Sequence, residues 1–272
     1  MMTGYNNRAG NAAKKLTWKE LLYAAAPALF YMVILNAAHV FFVFLGFSDS
    51  RILLQAMSVF VSLLFFCWYA VRTHLKIRSR KKGIYRYPAS FCYVVAVVMC
   101  GVVNNYLFSI LMSVVRKFSS DYWRVAQNFY KQDLLLEIVA LCILGPFVEE
   151  LVYRGFVYHR LRESSSETKA AVWSALLFGA MHFNLVQFVY AFVLGLLLAH
   201  IVSKTGSLFT AIAAHMAANL VSVLWEETDW LDFLNQTGIR QHGAAVISLV
   251  LMWIFLSYGN NLQKKNLQKR IR

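Results

Sequence analysis

The sequence predicts an all-α, polytopic membrane protein of about eight transmembrane helices around an intramembrane polar cavity. Three observations predict it. First, 59% of the 272 residues are hydrophobic and only 15% are charged, whereas a soluble globular chain is roughly 45–50% apolar and about 25% charged. At about 20 residues per span, the apolar content fills about eight spans. Second, most Lys and Arg residues gather in segments that alternate with the apolar runs. Third, ionisable side chains recur inside three of those runs. The composition excludes a soluble enzyme. With Gly at 13, Pro at 3 and Cys at 4, it also excludes collagen-like, disordered and disulfide-rich classes.

The apolar runs lie at 20–46, 52–71, 89–115, 134–158, 170–184, 186–202, 207–225 and 243–258. They read as one integral membrane domain over 1–272. The first run starts too late and is too long for a cleavable signal, so it reads as a span. The fifth and sixth are short for spans and meet at His182-Phe183-Asn184. Cys67, Cys92, Cys100 and Cys142 fall inside apolar runs and form no C-x-x-C pair, so buried thiols are expected. Trp18, Trp123, Tyr130 and Trp230 lie near span ends and read as interfacial anchors. His39, His74, His159, His200 and His242 lie at span ends or alone, and no function is assigned to them.

Charge sets the expected orientation. The net charge is +14. With the N-terminus placed inside, 21 of the 27 Lys and Arg residues fall on the inner side and 6 on the outer. That bias predicts both termini cytoplasmic. The acidic stretch Glu226-Glu227-Thr228-Asp229 then lies outside. The basic run Arg78-Ser79-Arg80-Lys81-Lys82 is a topology anchor, free to touch anionic headgroups. The partners expected are the lipid bilayer and a peptide or membrane-protein substrate, with no nucleic acid; oligomeric state is left open.

An ionisable residue inside a span is costly and points to function. The fourth run contains Gly145-Pro146-Phe147-Val148-Glu149-Glu150-Leu151-Val152-Tyr153-Arg154. The fifth holds Phe178 and His182, and the seventh holds His215 and Asn219. Glu150 and Arg154 are four apart, share a helix face, and are spaced for an ion pair. Glu149 lies about 100° around the helix, which leaves it the freer carboxylate. His215 and Asn219 also share a face. At 1.5 Å per residue, Glu149 is about 16 Å from Arg160, His182 about 20 Å from Lys169, and His215 and Asn219 about 16 and 22 Å from Lys204. In a hydrocarbon core about 30 Å thick, three spans thus place polar groups at similar depth.

This set suits hydrolysis of a peptide bond. Glu149 would take a proton from water, His182 would hold the same water and pass protons, and His215 with Asn219 would meet the oxyanion. Other intramembrane chemistries fail on their motifs. There is no H-E-x-x-H zinc signature. Asp133 lies at a span edge and no aspartate is central. Gly46-Phe47-Ser48-Asp49 lacks the second glycine of a rhomboid-like G-x-S-G.

The chain resembles the CAAX protease and bacteriocin-processing (CPBP/Abi) family. Its motifs EExxxR, FxxxH and HxxxN match Glu149-Glu150-x-x-x-Arg154, Phe178-x-x-x-His182 and His215-x-x-x-Asn219. Lys204-Thr205-Gly206-Ser207-Leu208 also looks like the family, and the resemblance covers about 145–222, the expected protease core. It implies an intramembrane endopeptidase with Glu149 and His182 activating water and His215 and Asn219 forming the oxyanion site. Glu150, Arg154 and Phe178 are the supporting residues. No cofactor is expected. Were the enzyme metal-dependent, Glu149, His182 and His215 would be the Zn²⁺ ligands. The short chain fits the bacterial branch, linked to pheromone or bacteriocin maturation, and so a bacterial cell membrane. The competing expectation is a non-catalytic immunity or regulatory protein that binds a partner through its spans.

Overall fold

The structure is a computed structural model. It describes residues 16–47, 50–73, 86–115, 133–183, 185–228 and 239–271. The basic run 78–82, His74, Trp123, Tyr130, Asp229, Trp230 and residues 1–15 and 272 lie outside the described residues. The described residues form eight helices and no strand. They are α1 (Trp18–Phe44), α2 (Arg51–Arg72), α3 (Arg86–Val115), α4 (134–164), α5 (Glu167–Ala180), α6 (Leu185–Thr205), α7 (Leu208–Glu227) and α8 (Ile239–Ile271). Together they make an all-α integral membrane protein.

Local chemistry sets the helix starts. An oxygen-bearing side chain just before a first turn accepts one of the turn's free N–H groups. Thr17, Ser50, Asp133, Ser166 and Ser207 each do this, for α1, α2, α4, α5 and α7. Thr17 and Glu20 complete a reciprocal capping box. The α6–α7 junction falls in the stretch 204–208. Gly206 takes φ +61° and donates its N–H to the Val202 carbonyl at 2.7 Å, which stops α6. Ser207 then caps α7, and the register that brings His215 and Asn219 inward follows from that cap.

Six of the helices are long and apolar enough to cross a membrane: α1, α2, the Tyr87–Leu107 part of α3, the Gln187–Thr205 part of α6, α7, and the His242–Lys265 part of α8. The remaining two expected spans differ in kind. α5 has 14 residues, about 21 Å of helix, short of the hydrocarbon thickness of about 30 Å. α4 is one continuous helical path of alternating type: α over Leu134–Glu137, π over Ile138–Leu144, α over Gly145–Glu150, π over Leu151–Tyr158, α over His159–Ser164. The two π stretches replace i→i+4 hydrogen bonds with i→i+5 bonds and widen the helix.

α4 is the central helix. Leu151 through Tyr158 are all buried, and α4 packs against α1, α2, α5, α6 and α7. α8 packs chiefly on α3. At one end of the bundle Arg160 donates to the Tyr23 carbonyl (2.8 Å) and the Tyr69 hydroxyl (3.1 Å), with its guanidinium over the Tyr23 ring. The same end holds Glu167 with Ser203 and Lys204, and Ser90 with Thr210. The Ser203 hydroxyl holds the Glu167 carboxyl below its ordinary value, and Lys204, 3.7 Å away, adds to this. At the other end Asn105 donates to Ser222 (3.2 Å) and Tyr106 meets His242. These ties describe antiparallel neighbours running up and down in turn.

Two histidines read as solitary are not. His200 and the Tyr93 hydroxyl converge on Asn260 Oδ1, at 3.0 and 2.8 Å, joining α6, α3 and α8. His242 joins α8 to α3 through Tyr106. The sequence pattern does not show such pairs because the partners are 60 to 167 residues apart. The cysteines are free thiols, with Cys92, Cys100 and Cys142 buried and Cys67 partly so. Trp18 is exposed at the start of α1.

Candidate active site

Arg154, His182 and His215, from the fourth, fifth and seventh runs, meet around the ring of Phe178. Glu150 and Arg154 are both fully buried. Arg154 Nη1 donates to Glu150 Oε1 at 2.8 Å. His215 Nδ1 lies 2.9 Å from the same oxygen. A carboxylate oxygen accepts only, so the hydrogen sits on His215 Nδ1. His215 Nε2 then faces Glu149, 3.8 Å from its Oε2. The two adjacent glutamates thus face opposite edges of one imidazole. Glu150 carries the arginine and Glu149 does not, and the Glu149 side chain keeps 23% exposure while Glu150 keeps none.

Phe178 sits between the other groups. The Arg154 guanidinium lies over its ring at 4.6 Å, a cation–π contact. Tyr153, His182 and His215 each meet it edge-on, with centroids 5.1, 5.1 and 5.6 Å away. Its backbone carbonyl is 3.0 Å from His182 Nδ1, which fixes the His182 ring and leaves its Nε2 uncommitted. α5 ends just before this histidine. Phe183 follows with φ +51°, a left-handed conformation that is uncommon for a bulky residue and costs of order 1–3 kcal/mol.

Asn219 has a partner that its pairing with His215 did not suggest. Its Nδ2 donates to the Leu141 carbonyl at 2.8 Å. Leu141 lies in the first π stretch, where its carbonyl would bond the N–H of residue 146. That residue is proline, which has no N–H. Pro146 therefore frees the carbonyl that Asn219 takes, and one Asn219 N–H remains for other work. In the second π stretch the Ser174 hydroxyl donates to the Tyr153 carbonyl at 2.9 Å. Replacing Asn219 with Leu strands a carbonyl, at a cost of about 1–3 kcal/mol. Asn219→Asp sets an acceptor against it and is expected to lower the Tm of the purified protein further still.

Sequence reasoning missed Gly195. Its carbonyl accepts from Arg154 Nη2 at 3.1 Å. A Cβ there would stand 3.0 Å from Ala175 Cβ and 3.2 Å from Arg154 Nη2. The missing side chain lets α6 approach α5 and lets the arginine in. Gly195→Ala is expected to lose about 1–3 kcal/mol of stability through overpacking, read as a lower Tm. A glycine in an apolar run carries no signal of this by itself; only the facing arginine gives it meaning.

Zinc held by Glu149, His182 and His215 does not fit this arrangement. Among the described residues, no group of three or more His, Cys, Asp or Glu side chains is placed to hold a metal ion.

Comparison with known proteins covers this same region. Residues 131–221 match the family model described as type II CAAX prenyl endopeptidase Rce1-like. Over 109 residues the chain is 26% identical to "Putative membrane peptidase YdiL" of Bacillus subtilis (strain 168), which takes in 40% of this chain and 45% of that protein. The match thus spans less than half the length of the curated relative. No solved structure matches the chain. The three motifs, in order, all fall inside the matched segment, and over residues 131–221 the chain is similar to the CAAX protease family, as its motifs suggested.

Proposed function

We propose that this chain is an intramembrane endopeptidase of glutamate type, cutting a membrane-associated or peptide substrate such as a pheromone or bacteriocin precursor. The observation that carries the reading is the His215 imidazole held between two glutamates, one neutralised by a buried arginine and the other free of it. Glu149 takes a proton from water and the resulting hydroxide attacks the scissile carbonyl carbon. The tetrahedral oxyanion is met by the remaining Asn219 N–H and, when His215 is protonated, by its Nε2–H. His182 Nε2 receives the water's proton from Glu149 and delivers it to the leaving amine as the C–N bond breaks. Glu150 and Arg154 hold His215 in its tautomer and touch no substrate. The site lies in a bacterial cell membrane, and the end carrying Arg160 and Lys204 faces the cytoplasm.

The test compares the small-peptide and membrane proteomes of cells carrying the wild-type chain or Glu149→Ala at equal abundance. A cleaved product that vanishes in the mutant while its precursor accumulates supports the protease. Identical proteomes, with both proteins rescuing the phenotype of a null strain, would sink it in favour of a partner-binding protein.

A further inference from the structure

Two parallel ladders run up the face of α4. Glu150 and Arg154 form one. Glu149 and Tyr153, also four apart, form the other, and Tyr153 adjoins Arg154. The Tyr153 side chain is 1% exposed, yet its hydroxyl has no hydrogen-bond partner among the described residues. The same holds for Glu150 Oε2 and Arg154 Nε. Three buried polar atoms, on residues within about one turn, thus lack partners among the described residues. Leaving each unmet costs about 1–3 kcal/mol, and buried polar groups in folded proteins are almost always met by protein or by water.

The chemistry of the three atoms identifies the ligand. The carboxylate oxygen only accepts, the guanidinium Nε–H only donates, and the hydroxyl does both. A buried water makes about 2–4 hydrogen bonds and needs partners of both kinds. An anion would be repelled by Glu150, and a cation by Arg154, so a neutral molecule of mixed character fits. The edge of the Phe178 ring closes one side through Tyr153. Tyr31 of α1 is buried, its ring set edge-on against Phe66 at 6.0 Å.

We propose that Glu150 Oε2, Tyr153 Oη and Arg154 Nε together bind a buried water molecule, and that Tyr153 is a positioning residue that keeps solvent against the Glu149 side of the site. The first half stands on the three unmet atoms. The second rests on the protease reading, since hydrolysis consumes one water for each bond cut and the surrounding wall is apolar. Tyr153 lies outside the EExxxR, FxxxH and HxxxN positions, and its ring would serve the packing role equally well as phenylalanine.

The direct test needs no substrate. X-ray hydroxyl-radical footprinting of the full chain in lipid nanodiscs labels side chains beside bound water. Tyr153 is expected to label at a rate within a few-fold of Tyr258, which is 57% exposed. Tyr93, equally buried but donating to Asn260, is expected to stay unlabelled. A Tyr153 as silent as Tyr93 overturns the water site. The functional test is Tyr153→Phe on the product found by the proteome comparison: kcat is expected to fall roughly tenfold with KM and membrane abundance unchanged. Wild-type kcat in Tyr153→Phe, while Glu149→Ala is inactive, overturns the positioning role and leaves the protease intact. Wild-type product from Glu149→Ala overturns the protease, and the footprint still decides the water.

Discussion

Glu149→Gln is expected to lower product formation by about 10²–10⁴-fold, the usual contribution of a general base, with the protein still present in the membrane at wild-type level. Glutamine keeps the length and one carbonyl oxygen of glutamate but cannot take a proton from water. The environment of Glu149 makes the abundance half of this prediction firm. His215 Nε2 lies 3.8 Å from its Oε2, too far for a hydrogen bond, and Glu149 is partly solvated. Glu150→Gln is the informative contrast. There Oε1 receives both Arg154 and His215 inside a fully buried setting, so the same change lowers abundance and activity together. Precursor-to-product ratio and membrane level, measured for both variants, separate the two glutamates. Full turnover by Glu149→Gln would remove Glu149 from the chemistry.

Arg154→Met is expected to be the most destabilising single change in the chain. It strands the Glu150 carboxylate at zero exposure, and breaking a buried pair from one side costs about 3–5 kcal/mol, a large part of a typical total of 5–15 kcal/mol. Removing the charge as well, in Arg154→Met with Glu150→Gln, is expected to restore much of the abundance. It should not restore activity, because His215 loses the carboxylate that fixes its tautomer. Arg154→Lys should fail too. One ammonium cannot reach Glu150, serve the Gly195 carbonyl and lie flat on Phe178 at once. Membrane abundance and the Tm of the solubilised protein report the first effect. Single and double mutants with equal abundance would show that the pair is not coupled.

Much of this site was legible in the residues because helical spacing is simple geometry. Four-residue intervals put Glu150 with Arg154 and His215 with Asn219, and the run lengths gave the eight helices in order. What stayed hidden shares a cause. Gly195, Ser174 and the Leu141 carbonyl contribute backbone or smallness, properties that every residue in an apolar run has some share of. Pro146 was visible, but its effect depends on a π turn that periodicity assumes away. The shortness of α5 was marked by its run, whereas the π stretches of α4 were not. α5 is short because its end bends at His182, and α4 is widened where neighbours complete its hydrogen bonding.

The borrowed hydrogen bonding of α4 bears on how this protein is made. A helix leaving the translocon sideways into lipid must satisfy its own backbone. α4 does not: the Leu141 carbonyl waits for a residue 78 positions later in the chain. It also carries Glu149, Glu150 and Arg154, each unwelcome in hydrocarbon. Synthesis therefore produces this segment well before Asn219, His215 and Ser174 exist to receive it. The ribosome-bound intermediate is expected to hold α4 inside the translocon or beside a chaperone until α7 emerges. Chains truncated before residue 207 would then be retained or degraded. Catalytic competence and membrane settlement would arrive in the same event, when α7 docks.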